Sequence, residues 1–133
     1  MDNDTNEIPI LKIDEKDFEL EVLRAKLPVM VAFEAPWSRP CNVLLTVLRE
    51  VTNACSGRVK VISIDVDGNP DLGLWYGIRS IPTLVFFQNG KVRGKIVGTT
   101  TKEVILSKLH SVFLGDDSSS VDSDAKKDDE YII

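Results

Sequence analysis

Val29-Met30-Val31-Ala32-Phe33 is apolar at every position, which marks a strand covered on both faces rather than one. The pattern then changes period. From Arg39 to Cys55, Leu44, Leu45, Leu48, Val51 and Thr52 recur at helical spacing, and Gly57 stands where a helix ends. Upstream, Glu7 to Ile13 reads as a first strand, with Pro9 limiting it to an edge or a strand start. Asp14 can cap a helix to about Lys26 that carries Phe18, Val22 and Ala25 on one face. Downstream, Val59 to Val66 is a strand, and Pro70 opens a short helix, Asp71 to Tyr76, that Gly77 stops. Thr83 to Gln88 and Lys91 to Val97 flank Asn89-Gly90, a strong hairpin signal. A last helix is predicted from Thr101 to Phe113, with Val104, Ile105, Leu109, Val112 and Phe113 inward. The order β-α-β-α-β-α-β-β-α demands a mixed sheet, because the crossovers are parallel and the hairpin is antiparallel. The fold class is therefore α/β.

Composition divides the chain in two. At 133 residues and 43% hydrophobic, it holds one domain with a real core, and residues 1–114 are assigned to it. Residues 115–133 are rich in Asp, Ser and Lys and are expected to be a disordered acidic tail. Seven of the 21 acidic residues lie there against Lys126 and Lys127, so the tail carries the whole net charge of -5. The body is neutral, which gives no basic face for nucleic acid. No apolar run approaches the ~18 residues of a membrane span, so no membrane partner is expected. The first residues, Met1 to Glu7, are polar and acidic, unlike a secretory or transit peptide, and the expected location is cytoplasmic. Tyr131-Ile132-Ile133 is an apolar patch on the polar tail, either a frayed end or a short motif for a tail-docking partner.

Candidate chemistry concentrates in Ala35-Pro36-Trp37-Ser38-Arg39-Pro40-Cys41, the turn between the buried strand and the long helix. A helix N-terminus there offers free N–H groups that favour negative charge and stabilise a thiolate. Position 38 is a serine, however, and the thiol is Cys41. Cys41 and Cys55 fall on one helix fourteen residues apart, or ~21 Å, far beyond the ~7 Å that a disulfide tolerates. With no Cys-x-x-Cys pair and one histidine, a metal site is not indicated, and no cofactor is expected. A serine nucleophile at Ser38 would need a base within reach, and His110 is placed far along the fold. Lys91, Arg93 and Lys95 alternate on a solvent face, while Trp75 and Tyr76 read as packing residues.

The turn resembles the Trp-Cys-x-Pro-Cys site of the thioredoxin family with its first cysteine replaced. Tyr76-Gly77-Ile78-Arg79-Ser80-Ile81-Pro82-Thr83-Leu84 resembles the family segment that holds a cis-proline opposite that site. The resemblance runs from about Ile8 to Phe113. It implies a five-stranded central mixed sheet with helices on both faces, and a shallow groove ringed by Trp37, Ile81, Pro82, Gly98 and Thr99, with Arg39 and Pro40 beside it. It also identifies what is missing. The family's buried aspartate is matched by Ala32, its neighbouring lysine by Ser63, and the tryptophan two residues after the aspartate by Glu34.

Thiol–disulfide exchange needs an attacking thiolate and a second thiol to resolve the mixed disulfide, and Ser38 supplies neither. The first expectation is thus a domain that binds an extended segment of a partner protein as an adaptor or chaperone-like module, without dithiol turnover. The alternative is a thiol–disulfide oxidoreductase acting through Cys41, or a Cys-to-Ser variant of a redox-active thioredoxin serving cell redox homeostasis. A third reading makes the acidic tail the working end of a scaffold. Cys41 can equally be a small core residue, since burial makes a thiol inert, and Cys55 still more so.

Overall fold

The computed structural model describes residues 10–114, so the expected tail and the first part of the expected first strand lie outside the described residues. The strands are β1 (Leu11–Lys12), β2 (Val29–Glu34), β3 (Lys60–Asp65), β4 (Thr83–Gln88) and β5 (Lys91–Val97). The helices are α1 (Arg39–Cys55), α2 (Pro70–Trp75) and α3 (Lys102–Leu109), the last continued by a π-helical turn, His110–Leu114. The five strands form one sheet in the order β1-β3-β2-β4-β5. β3 runs parallel to both β1 and β2, whereas β4 runs antiparallel to β2 and β5.

Side chains alternate across β2 and so build two cores. Met30 and Ala32 face a layer made with Leu44, Leu48 and Val51 of α1 and Ile105 and Leu109 of α3. Val29, Val31 and Phe33 face the opposite layer, with Phe18, Val22, Leu72 and Phe87. Helical segments on both faces cover the sheet, which is why β2 had to be apolar throughout. Tyr76 joins the second layer through its ring, 5.5 Å from Phe18 and 5.4 Å from Phe87 between centroids.

Several expectations are corrected. Residues 15–23 do not form a regular α-helix but a 3-10 turn, Glu15–Asp17, followed by a π-helical segment, Glu19–Leu23. A side chain from β3 competes for its backbone: Lys60 Nζ donates to the Glu21 carbonyl at 2.8 Å and pairs with Glu21 Oε1 at 2.5 Å. Phe18 and Val22 are buried regardless, so the apolar pattern was right where the helix type was not. β1 comprises Leu11 and Lys12 alone among the described residues. Gly57 does stand at the end of α1, with φ 81°, and Ser56 before it shares the left-handed conformation, with φ 51°. Val104 is 49% exposed and Trp75 65% exposed, against the inward placement expected for both. In the hairpin, a bulge between Phe86 and Phe87 shifts the register against β5 and sets Arg93 to donate to Gln88 Oε1 at 2.6 Å.

Leu48 is 1% exposed at the meeting of α1 and the sheet. Leu48→Ala should cost ~2–5 kcal/mol of stability through lost transfer energy and a residual cavity. Leu20→Ala, at a position 64% exposed, should stay within ~0.5 kcal/mol. Urea midpoints of the two variants check the contrast.

Candidate functional site

β2 delivers the chain to the site. It ends at Glu34, Ala35 is fully buried, and the chain turns back on itself with the Ser38 N–H donating to the Ala35 carbonyl at 3.1 Å. Ser38 is the N-cap of α1, Pro40 sits in the first turn, and Cys41 follows. The Cys41 N–H donates to Ser38 Oγ at 3.3 Å, and the Asn42 N–H donates to the Ser38 carbonyl at 3.1 Å. An N-cap serine of this kind stabilises a helix by about 1 kcal/mol.

That bond changes the meaning of the turn. A helix start exposes unpartnered N–H groups, and a sulfur anion at position 38 would draw on them. Here a neutral hydroxyl oxygen takes the Cys41 N–H as an ordinary cap. Ser38 is 4% exposed and Cys41 1% exposed, so hydroxyl and thiol are both covered. His110 lies in the turn after α3, against the C-terminal end of α1, and supplies no base here.

The neighbouring strands bring the second segment alongside. Phe33 of β2 pairs with Thr83 of β4, so Ile81 and Pro82 come level with the end of β2. The Ile81–Pro82 peptide is cis. Thr83 in turn pairs with Val97, and the Gly98 N–H donates to the Pro82 carbonyl at 2.8 Å, which sets Gly98 and Thr99 at the same edge. Gly98 has φ +91° at the end of β5, and the bulge lies elsewhere, at Phe86/Phe87. Trp37 is 71% exposed, held by its indole N–H donating to Asp67 Oδ2 at 2.6 Å. Arg39 and Pro40 are exposed at the start of α1.

A groove of about 490 Å³ runs from Ile81 along Arg79 and Ile78 to Leu74 of α2. Leu74 is 77% exposed, and Trp75 beside it projects into solvent. Sequence reasoning missed these two as surface residues. The signal was available: two large apolar residues in sequence cannot both face the core of a six-residue helix.

Three positions departed from the thioredoxin pattern, and the structure shows what replaced it. Ala32 and Ser63 are register partners across β2 and β3, 1% and 4% exposed. Glu34, two residues beyond Ala32 on the same face, is half-buried, at the strand end that also carries Ser63 of β3. Desolvation pushes the Glu34 carboxyl above its ordinary value and nearby Asp65 adds to this, against the opposing Ser63 hydrogen bond and Lys12 charge. A carboxyl group thus remains at this strand end, displaced along the strand.

Comparison with known proteins gives one consistent result. The family model described as thioredoxin matches residues 9–111. A protein named thioredoxin from Rickettsia bellii is 37% identical over 99 residues, covering 74% of this chain and 94% of that protein. One from Synechocystis sp. is 39% identical over 98 residues, covering 74% and 92% respectively. One from Pyropia yezoensis is 36% identical over 101 residues, covering 76% and 94%.

Glu34 generates a pH-dependent prediction. Its folded form holds a proton more tightly than the unfolded chain does, so stability falls as pH rises from the ordinary value, 4.5, through the raised one. At pH 7 the full cost is present; well below 4.5 it is absent. Glu34→Gln, which keeps an acceptor for Ser63, should melt higher than the parent at pH 7, and the gap should close toward about pH 4. Thermal unfolding at the two pH values measures it.

Proposed function

Because the chain belongs to the thioredoxin family, we propose that it carries out thiol–disulfide exchange of the single-thiol kind through Cys41, on polypeptides laid along the groove beside Pro82. The observation that carries the reading is the placement of Cys41 in the first turn of α1, at the strand end that Ile81 and Pro82 flank. The other cysteine, Cys55, lies at the far end of that helix.

The chemistry follows from the loss of one sulfur. The Cys41 thiolate attacks one sulfur of a client disulfide; that S–S bond breaks, a Cys41–client S–S bond forms, and the other client sulfur leaves as a thiolate. Ser38 cannot displace the client, since a hydroxyl forms no disulfide. A small thiol of the glutathione class must then attack the client sulfur, returning Cys41 as thiolate and leaving the client joined to that small thiol. The protein therefore exchanges partners without closing a disulfide of its own. Such a cycle suits a thiol-rich compartment such as the cytoplasm. Trp37, Ile81, Pro82, Gly98 and Thr99 would contact the client chain, and the exposed Leu74 extends the apolar surface available to it.

A second reading is favoured by burial. With Cys41 1% exposed beneath a capped turn, the same groove can hold an extended segment without covalent chemistry, as an adaptor or chaperone-like module. The adduct on Cys41 separates the two. Incubation with oxidised glutathione should add one glutathione to Cys41, read by intact mass and peptide mapping and abolished in Cys41→Ser. The parent should not reduce insulin above the background of the added dithiol, and Ser38→Cys should raise that rate at least about tenfold. An unmodified Cys41 would sink the single-thiol reading in favour of the holding one; rapid insulin turnover by the parent would sink both.

A further inference from the structure

The end of the sheet remote from the site contains a cavity of about 160 Å³ that the exchange chemistry does not use. Its walls include Cys55 from the last turn of α1, Arg58 and Val59 from the connection to β3, and Leu106, Leu109 and Phe113 from the last helix. Among the described residues the lining is apolar apart from Arg58 and His110, and no carboxylate contributes to it. Arg58 is anchored in place, its Nε–H donating to the Cys55 carbonyl at 3.2 Å. An apolar cavity of ~150 Å³ is the size that accepts a benzene ring, so this one takes a single large side chain.

The chain supplies a matching segment. Phe113, a wall of the cavity, is followed by Leu114 and then by residues 115–133, outside the described residues. That stretch ends in Asp128-Asp129-Glu130-Tyr131-Ile132-Ile133, an apolar triplet next to three acidic residues. We propose that the terminal segment Tyr131-Ile132-Ile133 docks on its own chain with one of its side chains filling this cavity, and with Asp128, Asp129 and Glu130 set against Arg58.

Three considerations select this occupant. Charge is complementary, because the rim offers a guanidinium and the incoming segment offers carboxylates. Reach is ample, since residues 115–130 extend up to about 50 Å and depart from the cavity wall itself. Tethering raises the effective concentration to the order of millimolar, so a weak apolar contact is populated within one chain before a second copy competes. The docked segment stays clear of the groove beside Pro82, because α1 separates Cys55 from Cys41 by ~21 Å. Its consequence concerns the second thiol. Burial already pushes the Cys55 thiol up, with Arg58 opposing, and a docked side chain covers it, keeping Cys55 out of exchange with disulfides. The proposal stands whether or not Cys41 is reactive.

Two measurements on the full chain test it. Maleimide labelling of Cys55, followed by peptide mapping, should run at least about fivefold faster in the triple variant Tyr131→Ser, Ile132→Ser, Ile133→Ser than in the parent. In single variants Tyr131→Cys, Ile132→Cys and Ile133→Cys, mild oxidation should give a disulfide from at least one new thiol to Cys55 within a single chain. Equal labelling rates overturn the proposal, as does the absence of any such bridge in all three variants. Bridges found only between two chains overturn it in favour of a second copy as the occupant.

Discussion

Two-sided burial of β2 is the constraint on which the rest depends. From Val29 to Phe33 the strand is at most 1% exposed, paired to β3 on one edge and β4 on the other. A strand so enclosed has no freedom of register, since a one-residue slip would exchange its two packed faces. Where it stops is therefore fixed, and so is the position of the turn that follows. The Pro82 segment is fixed by the same strand from its other edge, through the Phe33–Thr83 pair. Two stretches more than forty residues apart meet because both are tied to one buried element.

What that meeting place can do is decided by a single atom. The N-terminus of α1 presents donors suited to an anion, and the side chain at position 38 chooses what they serve. With oxygen there, the Cys41 N–H completes a helix cap, a local structural use of a group that could have stabilised charge. The loss of the buried acid points the same way. Ala32 packs as an ordinary apolar residue among Leu44 and Leu48, and the carboxyl now at Glu34 is half-buried and raised by desolvation. The cleft keeps its walls, while the thiols at it are cut down to one, Cys41.

The two cysteines occupy opposite ends of α1 and meet different fates. Cys41 lies under the cap at the end beside Pro82, whereas Cys55 lines an apolar cavity beside Arg58. Both are free and buried. Their separation along a rigid helix prevents any exchange between them within the chain, so each must be understood from its own surroundings. Exposed apolar surface is likewise unevenly distributed. Trp37, Leu74 and Val97 stand out near the cleft, and each exceeds 60% exposure.

The sequence by itself determined the element order, the limits of α1, β4 and β5, the two-faced core of β2 and the missing sulfur. Those are local properties: an all-apolar run, a 3.6-residue period, an Asn-Gly turn and the identity of residue 38 need no neighbours to be read. It misplaced Trp75 and Val104, and it missed the broken helix at residues 15–23, because each depends on which side of a short element the sheet leaves uncovered. Lys60 reaching across to the Glu21 carbonyl is such a case, a contact across 39 positions that no window of sequence contains. The same holds for the raised Glu34 carboxyl, the groove from Ile81 to Leu74 and the cavity at Cys55. Burial and enclosure are properties of packed surfaces, and only the tertiary structure brings those surfaces together.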